Sequence, residues 1–245
     1  MEFISNFKDM TAEELIEGTI ILIDKPLNWT SFDVVNKIRW EIKKRFKIKK
    51  LKVGHAGTLD PLATGLLLIC TGKKTKEIEK LQNSDKEYIA VIEFGHTTPS
   101  YDLETNFDNT YPYDHITKKL LEETLKNFHG EITQFPPMYS AKLVNGKRAY
   151  LFAHKGKQVQ MNPHVVNIKE LEILSFELPQ LTLRIKCSKG TYIRSLANDI
   201  GKALASGAYL KSLRRTTSGN YSINNAKSIE QFIEDLLTLQ PKNLA

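Results

Sequence analysis

The stretch "GHAGTLDPLATG", Gly54 to Gly65, sets one carboxylate, Asp60, in a glycine-rich turn with Pro61 directly behind it. From Ile42 to Lys76 Asp60 is the only acidic residue, among the basic residues Lys43, Lys44, Arg45, Lys47, Lys49, Lys50, Lys52, Lys73, Lys74 and Lys76. Proline disfavours helical geometry in the residue before it, so the Asp60 side chain projects from an extended or turn backbone. Gly54, Gly57 and Gly65 remove side-chain bulk and let the backbone of a ligand come close. On this window alone two readings stand level: a reacting carboxylate, and an aspartate that caps its turn or pairs with a lysine.

The alternatives for chemistry narrow by elimination. His55 is the only other candidate metal ligand near Asp60, and no carboxylate cluster suits a two-metal nuclease. The His-x-Glu and Pro-Cys-x-x-Cys signature of zinc deaminases is absent. "TGKKT" lacks the spacing of a phosphate loop, and no G-x-G fingerprint offers a dinucleotide-type cofactor site. With 35 Lys and Arg against 28 Asp and Glu, a net charge of +7 points to an anionic partner, nucleic acid first. What remains is cofactor-free, metal-free chemistry by one carboxylate on an anionic polymer. Cys70 and Cys187 lie far apart with no Cys-x-x-Cys pair, so buried free thiols in a reducing cytoplasm are expected. No signal pattern and no apolar run of about 20 residues argues for secretion or a membrane span.

The elements that must position Asp60 are legible in outline. "TAEELIEG" predicts a short helix and "GTIILIDKP" a buried strand. "TSFDVVNKIRWEIKKRF" carries a Thr30–Asp33 capping pattern, with Val34, Val35, Ile38, Ile42 and Phe46 at helical spacing. Its other face and the following "KIKKLK" are basic, and nine cations against one acid between Lys37 and Lys52 favour phosphate contact over a merely solvated face. "GLLLICTG" predicts a strand, "KKTKEIEKLQ" a helix and "KEYIAVIEFG" a strand. "DHITKKLLEETLKNFHG" predicts a helix with Ile116, Leu120, Leu121, Leu125 and Phe128 on one stripe and Gly130 as its C-cap. A Pro-Pro turn, an Asn145-Gly146 turn and a short helix follow, then strands at "VVNIKELEILSF" and "LTLRIKC". "GTYIRSLANDIGKAL" predicts a helix with Ile193, Leu196, Ala197, Ile200 and Leu204 inward. Without a steady βαβ rhythm, the pattern argues for an α+β fold around a mixed, mostly antiparallel sheet.

"GHAGTLDPLATGLLLICTG" resembles the signature of the tRNA pseudouridine synthase B family. "DKP" at 24–26, "SDKEYIA" at 84–90, "FPPMYSAKLVNGKRAY" at 135–150, "CSKGTYIRSLANDIG" at 187–201 and "YLKSLRR" at 209–215 resemble the same family in its order. The resemblance covers roughly residues 19–220. It implies a pseudouridine synthase fold, with helices flanking the sheet and an active cleft across it, and isomerisation of the T-loop uridine at tRNA position 55 by base flipping. Asp60 matches the catalytic aspartate and Arg194 the arginine that pairs with it. Tyr88 matches the aromatic stacked on the target base, Tyr192 a second residue lining the nucleoside site, and Leu213 an apolar contact to the base. His55 matches a histidine beside the flipped nucleotide; Lys25 and Pro26, with Gly57, match supports of the active-site floor.

Residues 1–245 are thus expected as a single catalytic domain, with 221–245 as a short C-terminal helix and tail in place of the RNA-binding PUA domain found in many family members. Lys43, Lys44 and Lys47 are candidates for the RNA backbone contacts such a domain would make. The expected partner is the tRNA T-stem-loop, with no cofactor, no membrane, no obligatory protein partner and a cytoplasmic monomer. The rival reading is a catalytically silent T-loop RNA-binding or chaperone protein of the same fold. An intact Asp60, Tyr88 and Arg194 set favours the enzyme, because binding alone does not require an aspartate that repels phosphate. A guide-RNA-dependent relative would need partner proteins and a PUA domain.

Overall fold

In a computed structural model the described residues are 11–140, 142–144, 146–153, 155–157 and 159–239. They fall into two compact units, Met1–Lys86 with Arg214–Ala245, and Glu87–Leu213. The expectations for the first ten residues, Asn145 and the tail from 240 lie outside the described residues.

The first unit opens with α1 (Ala12–Glu17), where Thr11 and Glu14 exchange capping hydrogen bonds. After β1 (Ile20–Lys25), α2 (Ser31–Phe46) starts on the Thr30–Asp33 capping box that the sequence predicts. β2 (Val53–Ala56) and β3 (Ala63–Thr71) flank the Asp60 turn. β3 runs antiparallel to β1, from Ile20 opposite Cys70 to Lys25 opposite Gly65, and antiparallel to β2. An uninterrupted apolar run makes β3 buried on both faces. Leu67 and Ile69, with Ile21 and Ile23 of β1, pack on Val34, Val35, Ile38 and Ile42 of α2. Leu66 and Leu68 join Leu22 and Ala56 in a second cluster. Where one helix is expected over "KKTKEIEKLQ", the chain winds as a 3-10 turn, Gly72–Glu77, before α3 (Ile78–Gln82). The tighter winding eclipses residues three apart, and Lys74 meets Glu77 at 2.7 Å.

The second unit begins on β4 (Lys86–Phe94), whose alternate residues are buried, followed by the small pair β5 (His96–Thr97) and β6 (Asn109–Thr110). α4 (Lys118–Leu125) buries Leu121 and Leu125, but Leu120 is 40% exposed. The helix starts only after Ile116, so the expected stripe is cut short. It ends through a 3-10 turn, Lys126–Phe128, and an extended His129; Gly130, at φ +85°, opens β7 (Gly130–Gln134) and does not cap the helix. β8 (Leu143–Val144) and β9 (Lys147–Arg148) pair antiparallel on either side of the expected turn, with Gly146 at φ +75°. α5 (Tyr150–Ala153), β10 (His164–Glu177), β11 (Gln180–Cys187) and α6 (Ile193–Ala203) follow. β12 (Ala208–Ser218) gives its residues up to Leu213 to this unit, where the strand order is β12-β4-β11-β10-β7.

Arg214–Ser218 of β12, β13 (Tyr221–Ser222) and α7 (Ile229–Thr238) complete the first unit. Ile229, Phe232 and Leu236 of α7 are buried in the cluster that α2 shares with β1 and β3. The architecture is α+β, with antiparallel pairing between named neighbours in both units. Cys70 and Cys187 are buried free thiols. No helix among the described residues is long and apolar enough to cross a membrane.

Candidate active site

Asp60 is half-buried at the head of the turn between β2 and β3, with its carbonyl accepting from Ala63 N–H at 3.1 Å. Three side chains fix the turn from behind. Ser31, in the first turn of α2, accepts from Leu59 N–H at 2.8 Å and donates to Leu59 O at 3.0 Å. Lys25, fully buried at the end of β1, donates through Nζ to Trp29 O (2.6 Å), Pro26 O (2.9 Å) and Pro61 O (3.4 Å). Arg215, also buried, donates through Nη2 to Gly57 O at 3.0 Å and through Nε to Leu66 O at 2.7 Å. Two cations therefore bracket the turn while spending their hydrogen bonds on carbonyl oxygens. The glycines are sterically required: a Cβ on Gly65 (φ +102°) would lie 2.3 Å from Arg215 O.

The electrostatics follow from burial. Desolvation pulls the Lys25 ammonium down from its ordinary 10.5 to about 8; the attraction of Asp60 opposes the fall and the repulsion of Arg215 adds to it. Burial, then Arg215, lowers the His55 imidazole below its ordinary value, so it is neutral at pH 7. Its Nδ1 is buried with no hydrogen-bond partner among the described residues. The first unit thus gathers Asp60, Lys25, Pro26, Gly57 and His55 around one turn.

In the second unit Tyr192 is the N-cap residue of α6 and Arg194 lies in its first turn. Gln134, fully buried at the end of β7, grips the Tyr192 backbone twice, accepting from its N–H at 2.9 Å and donating to its carbonyl at 3.1 Å. His164 meets the Tyr192 ring edge-on at 5.9 Å and hydrogen-bonds Gly190 O at 2.9 Å. Arg194 is buried; its Nη1 lies 3.5 Å from Asp102 Oδ2 and donates to Ser100 O at 3.2 Å, while Nη2 donates to Tyr139 O at 2.8 Å. Asp102 is buried too and accepts from Glu104 N–H at 3.0 Å. Tyr88 is buried on β4, and Leu213 is half-buried on β12. Among the described residues, no three His, Cys, Asp or Glu side chains gather where they could hold a metal ion.

Residues 43–193 match the family model of the TruB family pseudouridylate synthase N-terminal domain, and residues 194–242 match that of the tRNA pseudouridylate synthase B C-terminal domain. The chain belongs to the TruB family of pseudouridylate synthases. It is 55% identical over 218 residues to tRNA pseudouridine synthase B of Phocaeicola vulgatus, covering 89% of this chain and 93% of that one. The enzyme of the same name from Flavobacterium johnsoniae is 52% identical over 228 residues, 93% of this chain and all of that one. Among solved structures, a chain of a Cbf5-Nop10-Gar1 complex superposes with a TM-score of 0.69 at 28% identity, over 93% of this chain and 57% of that chain. A chain of an H/ACA RNP bound to a substrate RNA containing 2'-deoxyuridine gives 0.66 at 26%, over 93% and 56%.

Within this TruB-family chain several side chains that hold the Asp60 turn in the first unit, or Tyr192 and Arg194 in the second, escape sequence reasoning. Arg215 follows Arg214 in "SLRR", and the strand's period of two separates them. Arg214 points outward to a two-pronged pair with Asp24 at 2.6 and 3.1 Å, while Arg215 points in. Strand alternation was the available signal. Ser31, Asp102 and Gln134 have no local signal, since their partners lie 28 to 92 residues away in sequence. The basic run is also less uniform than its composition. Arg45 donates to the last carbonyls of α7, those of Leu236, Leu237 and Leu239, and Lys37 pairs with Glu41 at 2.7 Å.

Proposed function

We propose that this protein isomerises the T-loop uridine at position 55 of tRNA to pseudouridine, with Asp60 as the reacting carboxylate. The observation that carries the reading is the Asp60 turn, whose backbone Lys25, Ser31 and Arg215 hold, in a TruB-family chain. Isomerisation breaks the N1–C1′ bond, turns the base and forms a C5–C1′ bond; the C5 hydrogen leaves and N1 regains a proton. Overall the step neither oxidises nor reduces the nucleoside. A preorganised anion beside two cations suits it, because no water need reorganise as charge moves.

In this proposal Arg194 supplies the cation that keeps Asp60 ionised, and Tyr88 stacks on the extruded base. Tyr192 and Leu213 line the nucleoside, and neutral His55 sits beside the vacated stack, where unstacking costs a few kcal/mol. Lys25, Pro26 and Gly57 build the floor. The enzyme acts as a cytoplasmic monomer without a cofactor or obligatory protein partner. Residues 1–245 work as one catalytic domain.

Tritium release from a 5-tritiated uridine T-stem-loop transcript tests the reading. Wild type releases the label, and Asp60→Asn lowers the rate at least about a thousandfold at unchanged RNA binding. Release that survives Asp60→Asn refutes the catalytic assignment; binding by wild type with no release at all favours the silent RNA-binding protein.

A further inference from the structure

We infer that the outer face of α2 is a second RNA contact, where Trp40 stacks on the base of an unpaired nucleotide and Arg39, Lys43, Lys44 and Lys47 take the neighbouring phosphates. The inference rests on the reading that the substrate is RNA and adds a site beyond the target uridine. Trp40 is 53% exposed on a helix whose opposite stripe is fully buried. Phe32, Asn36, Trp40, Lys43, Lys44 and Lys47 recur at helical spacing on the face away from the core, and Phe32 is 60% exposed.

The ring is not bare. Lys44 Nζ lies 4.6 Å and Lys37 Nζ 5.3 Å from its centroid, so two ammonium groups sit against one indole ring. Asn36, Arg39, Trp40, Lys43, Lys44 and Lys47 line an open groove of about 640 Å³. The one acid in the run, Glu41, is taken by Lys37. Among the described residues Lys43, Lys44 and Lys47 have no carboxylate within ion-pair distance.

That chemistry selects the occupant. An apolar protein segment would need mostly apolar neighbours around the tryptophan, and here four of the groove's residues are cations, with only Ile48 apolar beside the indole. A polyanion that also carries flat π faces satisfies both features at once: the base takes the indole face and the phosphates take the displaced ammonium groups. The base must be free to stack, so the nucleotide is unpaired; the stacked interior of a duplex offers no free face.

The test uses the full chain with a complete tRNA transcript, read by direct binding across salt concentrations and by indole fluorescence. Trp40→Ala weakens binding about 5- to 150-fold, the range of one lost base stack, and Trp40→Phe recovers most of it. The combined Lys43→Gln, Lys44→Gln, Lys47→Gln variant flattens the log–log salt slope by about 2, as expected for three single-strand phosphate contacts. Tritium release by wild type, measured in parallel, reports on the catalytic reading separately. Release by wild type with variant affinities and slopes equal to its own overturns this inference and leaves the enzyme intact. A wild type that neither binds nor isomerises RNA overturns both. Unchanged RNA binding with Trp40-dependent binding to anionic lipid vesicles assigns the face to a membrane and likewise overturns the inference.

Discussion

Lys25 offers a prediction that needs no substrate. Its ammonium is fully buried, bonds only carbonyl oxygens among its hydrogen-bond partners in the first unit, and falls from 10.5 to about 8. At about 1.4 kcal/mol per pH unit, the folded state holds that proton roughly 3 kcal/mol less tightly than the unfolded chain. The sign follows from proton counts. Below pH 8 both states are protonated and the cost is fully present. Between pH 8 and 10.5 the unfolded chain keeps the proton that the folded chain has released, so this site's contribution to stability rises with pH. Lys25→Met preserves the bulk and removes the titration. Urea unfolding of both proteins at steps from pH 7.5 to 10.5 isolates the effect. Cys70, pushed up to about 11 by burial, makes stability fall over the upper part of that range, but it is present in both proteins and cancels in the difference. Wild-type stability minus that of Lys25→Met climbs by roughly 3 kcal/mol across the window. A flat difference would refute the assignment of a desolvated ammonium beneath the Asp60 turn.

Two glycines of the same turn separate crowding from backbone strain. Gly65→Ala drives a Cβ to 2.3 Å from Arg215 O and loses several kcal/mol, whereas Gly57→Ala, with Arg215 Nη1 at 3.4 Å, pays only left-handed strain of about 1–2 kcal/mol; equal melting temperatures would contradict the geometry. Asp102→Asn keeps the shape and the acceptor for Glu104 N–H but removes the charge facing buried Arg194, so stability by chemical denaturation falls by roughly 3 kcal/mol. Tritium release falls with it, and a fully active, fully stable variant would show that Asp102 does not hold Arg194.

The parts of this molecule that could be read from its sequence are those written in local periodicity. The unbroken apolar run of β3 predicts a doubly buried strand, Thr30 and Asp33 predict the start of α2, and Ile193, Leu196, Ala197 and Ile200 predict the inner stripe of α6. Pro61 and the flanking glycines mark the Asp60 turn for the same reason, since backbone restriction is a property of the residue itself. What grips that turn was hidden, because a hydrogen bond from Arg215 to Gly57 O joins residues 158 apart and leaves no trace in either neighbourhood. Charge misleads in a related way. Lys44 and Arg45 are adjacent members of one basic run, yet one lies over an exposed indole and the other closes the end of α7. Composition counts both as cations for phosphate, and only the direction of each side chain divides them.

The helix α2 is tied at both ends, by Ser31 to Leu59 next to Asp60 and by Arg45 to the carbonyls that finish α7. At about 1.5 Å of rise per residue, Trp40 stands roughly 13 Å and Lys47 roughly 24 Å along its axis from Ser31. A helix fastened this way is a fixed gauge. Whatever rests on Trp40 or Lys47 is held at a set distance from the Asp60 turn, a spacing that a flexible tether would leave to chance. Adding or removing one residue in α2 would change the length of that gauge and also turn its far end by about 100°, so distance and direction are specified together by a single stretch of backbone.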